Sequence, residues 1–177
     1  MTENARVVVG VSGSLSSLAA LHQAVAEARE RNAVLVPALA WHPVGGEIAY
    51  HRAPCPQLLR VWHEDARKRL DMAFEQCFGG YPEGLRVQPT LVRDENPGRA
   101  LVGVADRPGD VLMVSTGRRG RLHRALHASV GRYCLAHARC TVVAVPPSEL
   151  LEALEQAAER GEPMTLPSSW SSIAKAA

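Results

Sequence analysis

Val7-Val8-Val9-Gly10-Val11-Ser12-Gly13-Ser14-Leu15-Ser16-Ser17 joins a β-branched apolar run to a loop of Gly and Ser and then to a helical pattern. The run from Val7 to Val11 lacks polar alternation, the pattern of a strand covered on both faces. From Leu15 to Arg31 the apolar positions Leu18, Leu21, Val25 and Ala28 recur at spacings of three and four, so they share one helix face. Ser14 is placed as the N-cap and Asn32 as the stop. A second apolar run, Val34 to Trp41, follows at once. Strand, helix and buried strand make a βαβ unit, with parallel strands and a right-handed crossover.

The alternation continues along the chain. His42 to Pro56, rich in Gly and Pro, is expected to be a long loop. Gln57 to Phe78 reads as a charged amphipathic helix with Leu58, Val61, Ala66, Leu70 and Ala73 on its inner side. Leu85 to Val92 is expected as strand three, and Pro97 to Ala105 as a short helix capped by Asn96. Val111 to Ser115 is strand four, Ser129 opens a helix to His137, and Thr141 to Val145 is strand five, closed by Pro146-Pro147. The prediction is an α/β fold, a five-stranded parallel doubly wound sheet in the order 3-2-1-4-5. Residues 1–147 are assigned to this domain, 148–161 to an appended C-terminal helix and 162–177 to a mobile tail.

Composition narrows the function classes. The chain has 177 residues, enough for one full hydrophobic core with an appendage. A net charge of +2 does not describe a polycation that coats nucleic acid. The four cysteines, Cys55, Cys77, Cys134 and Cys140, show no zinc or thioredoxin spacing. Met1 to Arg6 is polar and runs into strand without a signal-peptide pattern. Apolar runs fall well short of the roughly 18 residues of a membrane span. The expectation is a soluble cytoplasmic protein with reduced thiols and neither nucleic acid nor membrane as partner.

In a doubly wound sheet ligands bind outside the carboxyl ends of the strands, where the strand order reverses. Here that point lies between strands one and four, and the loops meeting there are Gly10 to Ser16 and Ser115 to Ser129. Small residues in the first loop let backbone N–H groups approach an anion beside a helix N-terminus, although a plain strand-to-helix turn with a Ser cap uses the same residues. The second loop carries charge. From Val111 to Ser148 there is no Asp or Glu, while Arg118, Arg119, Arg121, Arg124, Arg132 and Arg139 fall inside the span. Arginine pairs bidentately with phosphate, so this is a candidate anion seat, with one or two arginines as ligands and the rest solvated.

Other chemistry is thin. His22 and His63 fall in helices, His42 and His51 in the long loop, and His123, His127 and His137 in the basic region. No spacing among them supplies the three converging ligands of a zinc enzyme, so no metal is expected; His123 and His127, four apart, could share a helical face as a weak metal site, but two solvated histidines are the expected reading. Cys134 and Cys140 are close enough in sequence to approach across a helix end, and packed thiols are the expected state. No Ser, His and acid constellation follows from spacing.

The opening Val7-Val8-Val9-Gly10-Val11-x-Gly13-Ser14, the strand end Ala38-Leu39-Ala40-Trp41-His42-Pro43 and the closing segment from Ala128 through Ser129-Val130-Gly131 to Pro146 together resemble the universal stress protein family. The resemblance covers about Arg6 to Pro146, and its closing segment is the most specific part. It implies a Rossmann-like domain of the adenine-nucleotide-binding type, commonly a homodimer paired through the last strand, here Thr141 to Val145. ATP-binding members of the family carry G-x2-G-x9-G-[ST] after strand four. Anchored at Ser129, the three glycines fall on Ser115, Arg118 and Ala128, all replaced; a shifted reading uses Gly117 and Gly120 but leaves only seven residues before Ala128. The acid that those members place after strand one falls on Ser12.

The implied cofactor-binding positions are Gly10, Val11, Ser12, Ala40, Val114, Ser115, Gly117, Arg118, Ala128, Ser129 and Val130. The expected function is that of a regulatory or binding module in stress response, not an enzyme, with a degenerate adenine-nucleotide site. The alternative is a genuine ATP binder, with slow hydrolysis, that uses Arg118 or Arg119 for the phosphates. Ser12-Gly13-Ser14-Leu15-Ser16-Ser17 is also similar to the S-G-G-x-D-[ST] loop of ATP pyrophosphatases, but the second Gly and the Asp are missing, which makes an adenylating enzyme the remote reading.

Overall fold

The valine run Val7-Val8-Val9 lies at the centre of the sheet, each residue at most 1% exposed, as a strand covered on both faces requires. It forms β1 (Arg6–Gly10), which pairs in parallel with β2 (Val34–Trp41) on one side and β4 (Val111–Ser115) on the other. β3 (Thr90–Arg93) and β5 (Thr141–Val145) complete a five-stranded sheet in the order β3-β2-β1-β4-β5. The computed structural model describes residues 5–116 and 130–146, all within one unit, Met1–Pro147. The expected helix at 148–161 and the tail at 162–177 lie outside the described residues.

Strand alternation divides the core in two. Val7, Val9 and Val11 face α1 (Leu15–Glu30) and α3 (Pro56–Phe78), where Leu21, Val25, Ala28, Leu70 and Phe74 are buried. Val8, with Val36, Leu112 and Val114, faces the other layer, α4 (Pro97–Val104) and α5 (Val130–His137), through Leu101 and Cys134. The helix ends follow local chemistry. Ser14 caps α1 by accepting from the Ser17 N–H at 3.3 Å, and Asn32 takes a left-handed φ of 49° just past its end. Asn96 caps α4 by accepting from the Arg99 N–H at 3.1 Å, with Pro97 in the first turn.

Three expectations need correction. The long loop His42 to Pro56 contains a helix, α2 (Gly46–Arg52), which buries no residue and so shows no hydrophobic period. On α3 the inward stripe starts with Leu59 and Trp62, while Leu58 and Val61 are 47% and 56% exposed. The true stripe, Leu59-Trp62-Ala66-Leu70-Ala73, keeps spacings of three and four; Val61 to Ala66 is a step of five, which leaves the face. Strand three is shorter than Leu85 to Val92. Val87 makes an isolated bridge to Leu35, Pro89 contributes no N–H, and regular pairing starts only at Thr90.

At the end of β1 away from the α1 turn, Arg6 holds Asp110, which is only 2% exposed. Its Nε donates to Asp110 Oδ1 at 2.9 Å and its Nη2 to Oδ2 at 2.5 Å, with further bonds to Asp106 and the Val104 carbonyl. These bonds, Asp110 foremost, raise the pKa of the Arg6 guanidinium. Between α4 and α5 the approach is closer than a methyl group allows: a Cβ on Gly98 would lie 2.8 Å from Tyr133 Cβ. Gly98→Ala is therefore expected to lower stability by about 1–3 kcal/mol through overpacking. Urea unfolding checks this, and a midpoint equal to wild type would refute the close approach. Among the described residues no helix is long and apolar enough to cross a membrane.

Candidate functional site

The β1–α1 connection is tied by its own serines. The Val11 N–H still donates to the Ala38 carbonyl at 2.9 Å, continuing the sheet. One residue later the Ser12 N–H turns to Ser17 Oγ at 3.3 Å, and that hydroxyl donates onward to the Ser14 carbonyl at 2.8 Å. Gly13 sits at φ +80°, a conformation that side chains rarely adopt, which explains glycine there. Ser17 is 1% exposed and closes the turn, whereas Ser12, Gly13 and Ser14 face solvent. The loop is thus a capped turn that also presents its hydroxyls outward: Ser12 Oγ and Ser14 Oγ are 2.9 Å apart, and Ser14 Oγ and Ser16 Oγ 3.1 Å apart.

Beside this turn a cleft opens at the carboxyl ends of the strands, with about 430 Å³ of empty space including its mouth. Gly10, Val11 and Ser12 line it from β1, Ala38 and Ala40 from β2, and Val114 and Ser115 from β4. The helices supply Ser17, Pro97, Leu101 and Val130. Its position is the reversal point of the strand order, where the neighbours of β1 depart in opposite directions. Among the described residues the lining is mostly aliphatic, with the hydroxyls of Ser12, Ser17 and Ser115 as its polar side chains. Such a surface suits a flat apolar ring with a polar end.

Seven of the sequence-predicted positions, Gly10, Val11, Ser12, Ala40, Val114, Ser115 and Val130, come together in this cleft. Gly117, Arg118, Ala128 and Ser129 lie outside the described residues, as do Arg119, His123 and His127. Gly10 also has a packing role: a Cβ there would lie 2.7 Å from Leu101 Cδ1. Four lining residues were not foreseen. Ala38 was within reach, being two residues before Ala40 on the same strand face. Ser17 entered the sequence reading only as the last residue of the Ser12 to Ser17 loop, not as a lining position. Pro97 and Leu101 share a face of α4, but nothing in their local pattern says which strand end that face meets.

Charged pairs gather beyond the carboxyl ends of β2 and β3. Arg93 donates to both carboxylate oxygens of Glu47 on α2, at 2.8 and 2.7 Å, and lies 4.8 Å over the Tyr50 ring. Glu95 accepts from the Glu47 N–H at 2.6 Å. Arg99 grips Asp94 through two bonds of 2.7 Å. The guanidinium of Arg93 holds Glu47 below the usual carboxylate range, and that of Arg99 does the same for Asp94. These acids are committed to arginine. Elsewhere, burial pushes the Cys134 thiol up to about 11 and raises Cys140, so both are protonated at neutral pH and not poised as nucleophiles. Among the described residues no group of three or more His, Cys, Asp or Glu is placed to hold a metal ion.

Comparison with known proteins agrees with this architecture. A universal stress protein of Mycobacterium tuberculosis is 32% identical over 145 residues, covering 78% of this chain and 47% of the relative. The chain thus spans about half the length of the curated relatives it matches. Among solved structures, a universal stress protein in complex with cAMP is 29% identical, covers 83% of this chain and 100% of its own, and superposes with a TM-score of 0.53. A universal stress protein from Archaeoglobus fulgidus in complex with dAMP shares the fold at 18% identity, with a TM-score of 0.53 and coverage of 82% and 99%. The sequence pattern described as the Universal stress protein family matches residues 3–146. That match spans all five strands and the turn beside the cleft, and the chain belongs to the universal stress protein family.

Proposed function

We propose that this chain is a binding and regulatory module of the cytoplasmic stress response, and that its ligand is an adenine nucleotide held in the β1–β4 cleft. The supporting observation is the cleft itself: an aliphatic slot at the strand-order reversal, flanked by a hydroxyl-bearing turn. The relative that is 29% identical is a complex with cAMP. In this reading Val11, Ala38, Ala40, Val114 and Val130 pack on the base and sugar, while Ser12 and Ser115 meet polar oxygens. The phosphate charge falls to Arg118 and Arg119, which pair with it in place of the replaced glycine pattern. Among the described residues the polar side chains of the cleft are serine hydroxyls, which suits a binding role.

Calorimetric titration tests the reading. Saturable heat is expected with cAMP or ATP, and Arg118→Ala with Arg119→Ala should weaken binding about tenfold or more. Absence of heat at millimolar nucleotide would end the proposal, and unchanged affinity in the double variant would remove those arginines from it.

The same reading includes a homodimer through β5. This strand ends the sheet, with Thr141 and Ala144 exposed and Val142 and Val143 half-buried, and an unpaired apolar edge favours a partner strand. Light scattering at tens of micromolar is expected to give twice the chain mass, and a monomer there counts against it.

A further inference from the structure

We propose that the outer face of α3 is a self-association surface, which takes the same face of a second copy of this chain in antiparallel, as a contact separate from the β5 edge. The observation that carries it is a stripe of apolar and oppositely charged side chains that complements itself when reversed.

Leu58, Val61, Asp65, Lys68 and Met72 recur at steps of three, four, three and four, the spacing by which one helix face meets another. With 3.6 residues per turn, all five fall within about 80° of arc, away from the inward stripe that runs from Leu59 to Ala73. All five are exposed, with Leu58, Val61 and Met72 at 47%, 56% and 56%. Apolar side chains in that state gain from a partner's surface.

The charges choose both the occupant and its direction. In a parallel pair of identical helices each position of the stripe meets itself, so Asp65 would face Asp65 and Lys68 would face Lys68. Reversed, the stripe brings Val61 against Met72 and Asp65 against Lys68, each contact made twice about a two-fold axis. The outer layer sets Leu58 against the methylenes of Glu75. Asp65 meets Arg69 of its own helix through Oδ2 at 3.3 Å, an exposed pair that Lys68 of the second copy joins. Where acids meet in this register, Glu64 beside Asp71, Asp71 is already held by Arg67 and Tyr81 of its own chain.

The position of α3 keeps the two surfaces apart. It packs over β2 and β3 and against α1, whereas β5 closes the other end of the sheet. A chain can therefore engage a copy through each surface at once, and two such symmetric contacts link pairs into larger assemblies. One helix face buries less than the roughly 1,200 Å² of a stable interface, so this contact forms at higher concentration than pairing through β5.

Sedimentation velocity of the full chain from about 10 μM to about 1 mM tests the proposal, because a weak contact fills within that range. The mean mass is expected to rise beyond its value at tens of micromolar. Asp65→Lys or Lys68→Asp sets like charges across the contact and should weaken it about tenfold or more. Combining the two restores opposite charges and should return the affinity to within about threefold of wild type. Val61→Cys with Met72→Cys, treated with oxidised glutathione, should give a covalent dimer that neither single variant nor wild type gives. Thermal unfolding verifies that the variants are folded.

A mass independent of concentration overturns the proposal. So does a rise that the single charge reversals leave unchanged, since the association then belongs to another surface such as α2 or residues 148–177. A combined reversal that fails to restore binding, or a covalent dimer from one single-cysteine variant, overturns the antiparallel register. None of these substitutions lies in β5 or the cleft, so each of these failures leaves the proposed function standing.

Discussion

Arg6→Ala is expected to destabilise the domain by about 3–5 kcal/mol, because it leaves the Asp110 carboxylate buried without its cation. Asp110 is 2% exposed, and Arg6 supplies both of its oxygens with a donor; the Arg107 N–H also donates to it, at 3.1 Å. The expected loss is the penalty of an uncompensated buried charge, not the net worth of the pair. Arg6→Ala with Asp110→Ala should therefore recover part of it. Urea unfolding of the two variants measures the difference. A loss below about 1 kcal/mol for Arg6→Ala, the range of an exposed pair, would show that water reaches Asp110.

Leu101→Ala should cost about 2–5 kcal/mol, since Leu101 is 3% exposed and its removal opens a cavity between α4 and the sheet. Leu101 also lines the cleft, so the variant widens the candidate site as it destabilises the fold. Its contact with β1 makes a sharper test. A Cβ on Gly10 would lie 2.7 Å from Leu101 Cδ1, so Gly10→Ala alone should be destabilising by overpacking. In the Leu101→Ala background the colliding atom is absent, and the same change should become nearly neutral. The double-mutant cycle should give a compensating coupling of about 0.5–3 kcal/mol. Strict additivity would mean that the two residues do not compete for one space.

Together these expectations separate two uses of glycine at the sheet ends. Gly10 and Gly98 are small because a neighbouring side chain occupies the space, Leu101 in one case and Tyr133 in the other. Gly13 is small because its φ is positive, with nothing near its missing Cβ. In the sequence the three look alike, and Gly10 in particular reads as a residue that lets a ligand approach. The structure assigns Leu101 to that space.

Much of the fold was legible because it is local and periodic. Val7 to Val9, Val34 to Trp41, Val111 to Ser115 and Thr141 to Val145 each declare a buried strand, and the helices between them dictate parallel pairing and the order 3-2-1-4-5. The caps Ser14 and Asn96 were readable because the groups they satisfy lie within three residues. The helix α2 was not readable for the opposite reason. It buries nothing, and Glu47 is held by Arg93 and Glu95, 46 and 48 residues away. The first turns of α3 were misphased because Leu58 and Val61 look as apolar as Leu59 and Trp62, and only packing chooses between the pairs.

The candidate site divides along the same line. The sequence by itself determined where the strand order reverses, that Gly10 to Ser12 and Val114 to Ser115 meet there, and that neither segment carries an acid. Those facts depend on hydrophobic period and residue type, which are written along the chain. Only the tertiary structure decided that Leu101 and Pro97 close the cleft, that Ser17 is spent on the turn while Ser12 faces outward, and that Asp94 and Glu47 are tied to arginines. Each of these is set by the distance between groups far apart in sequence, a quantity fixed only when the layers pack.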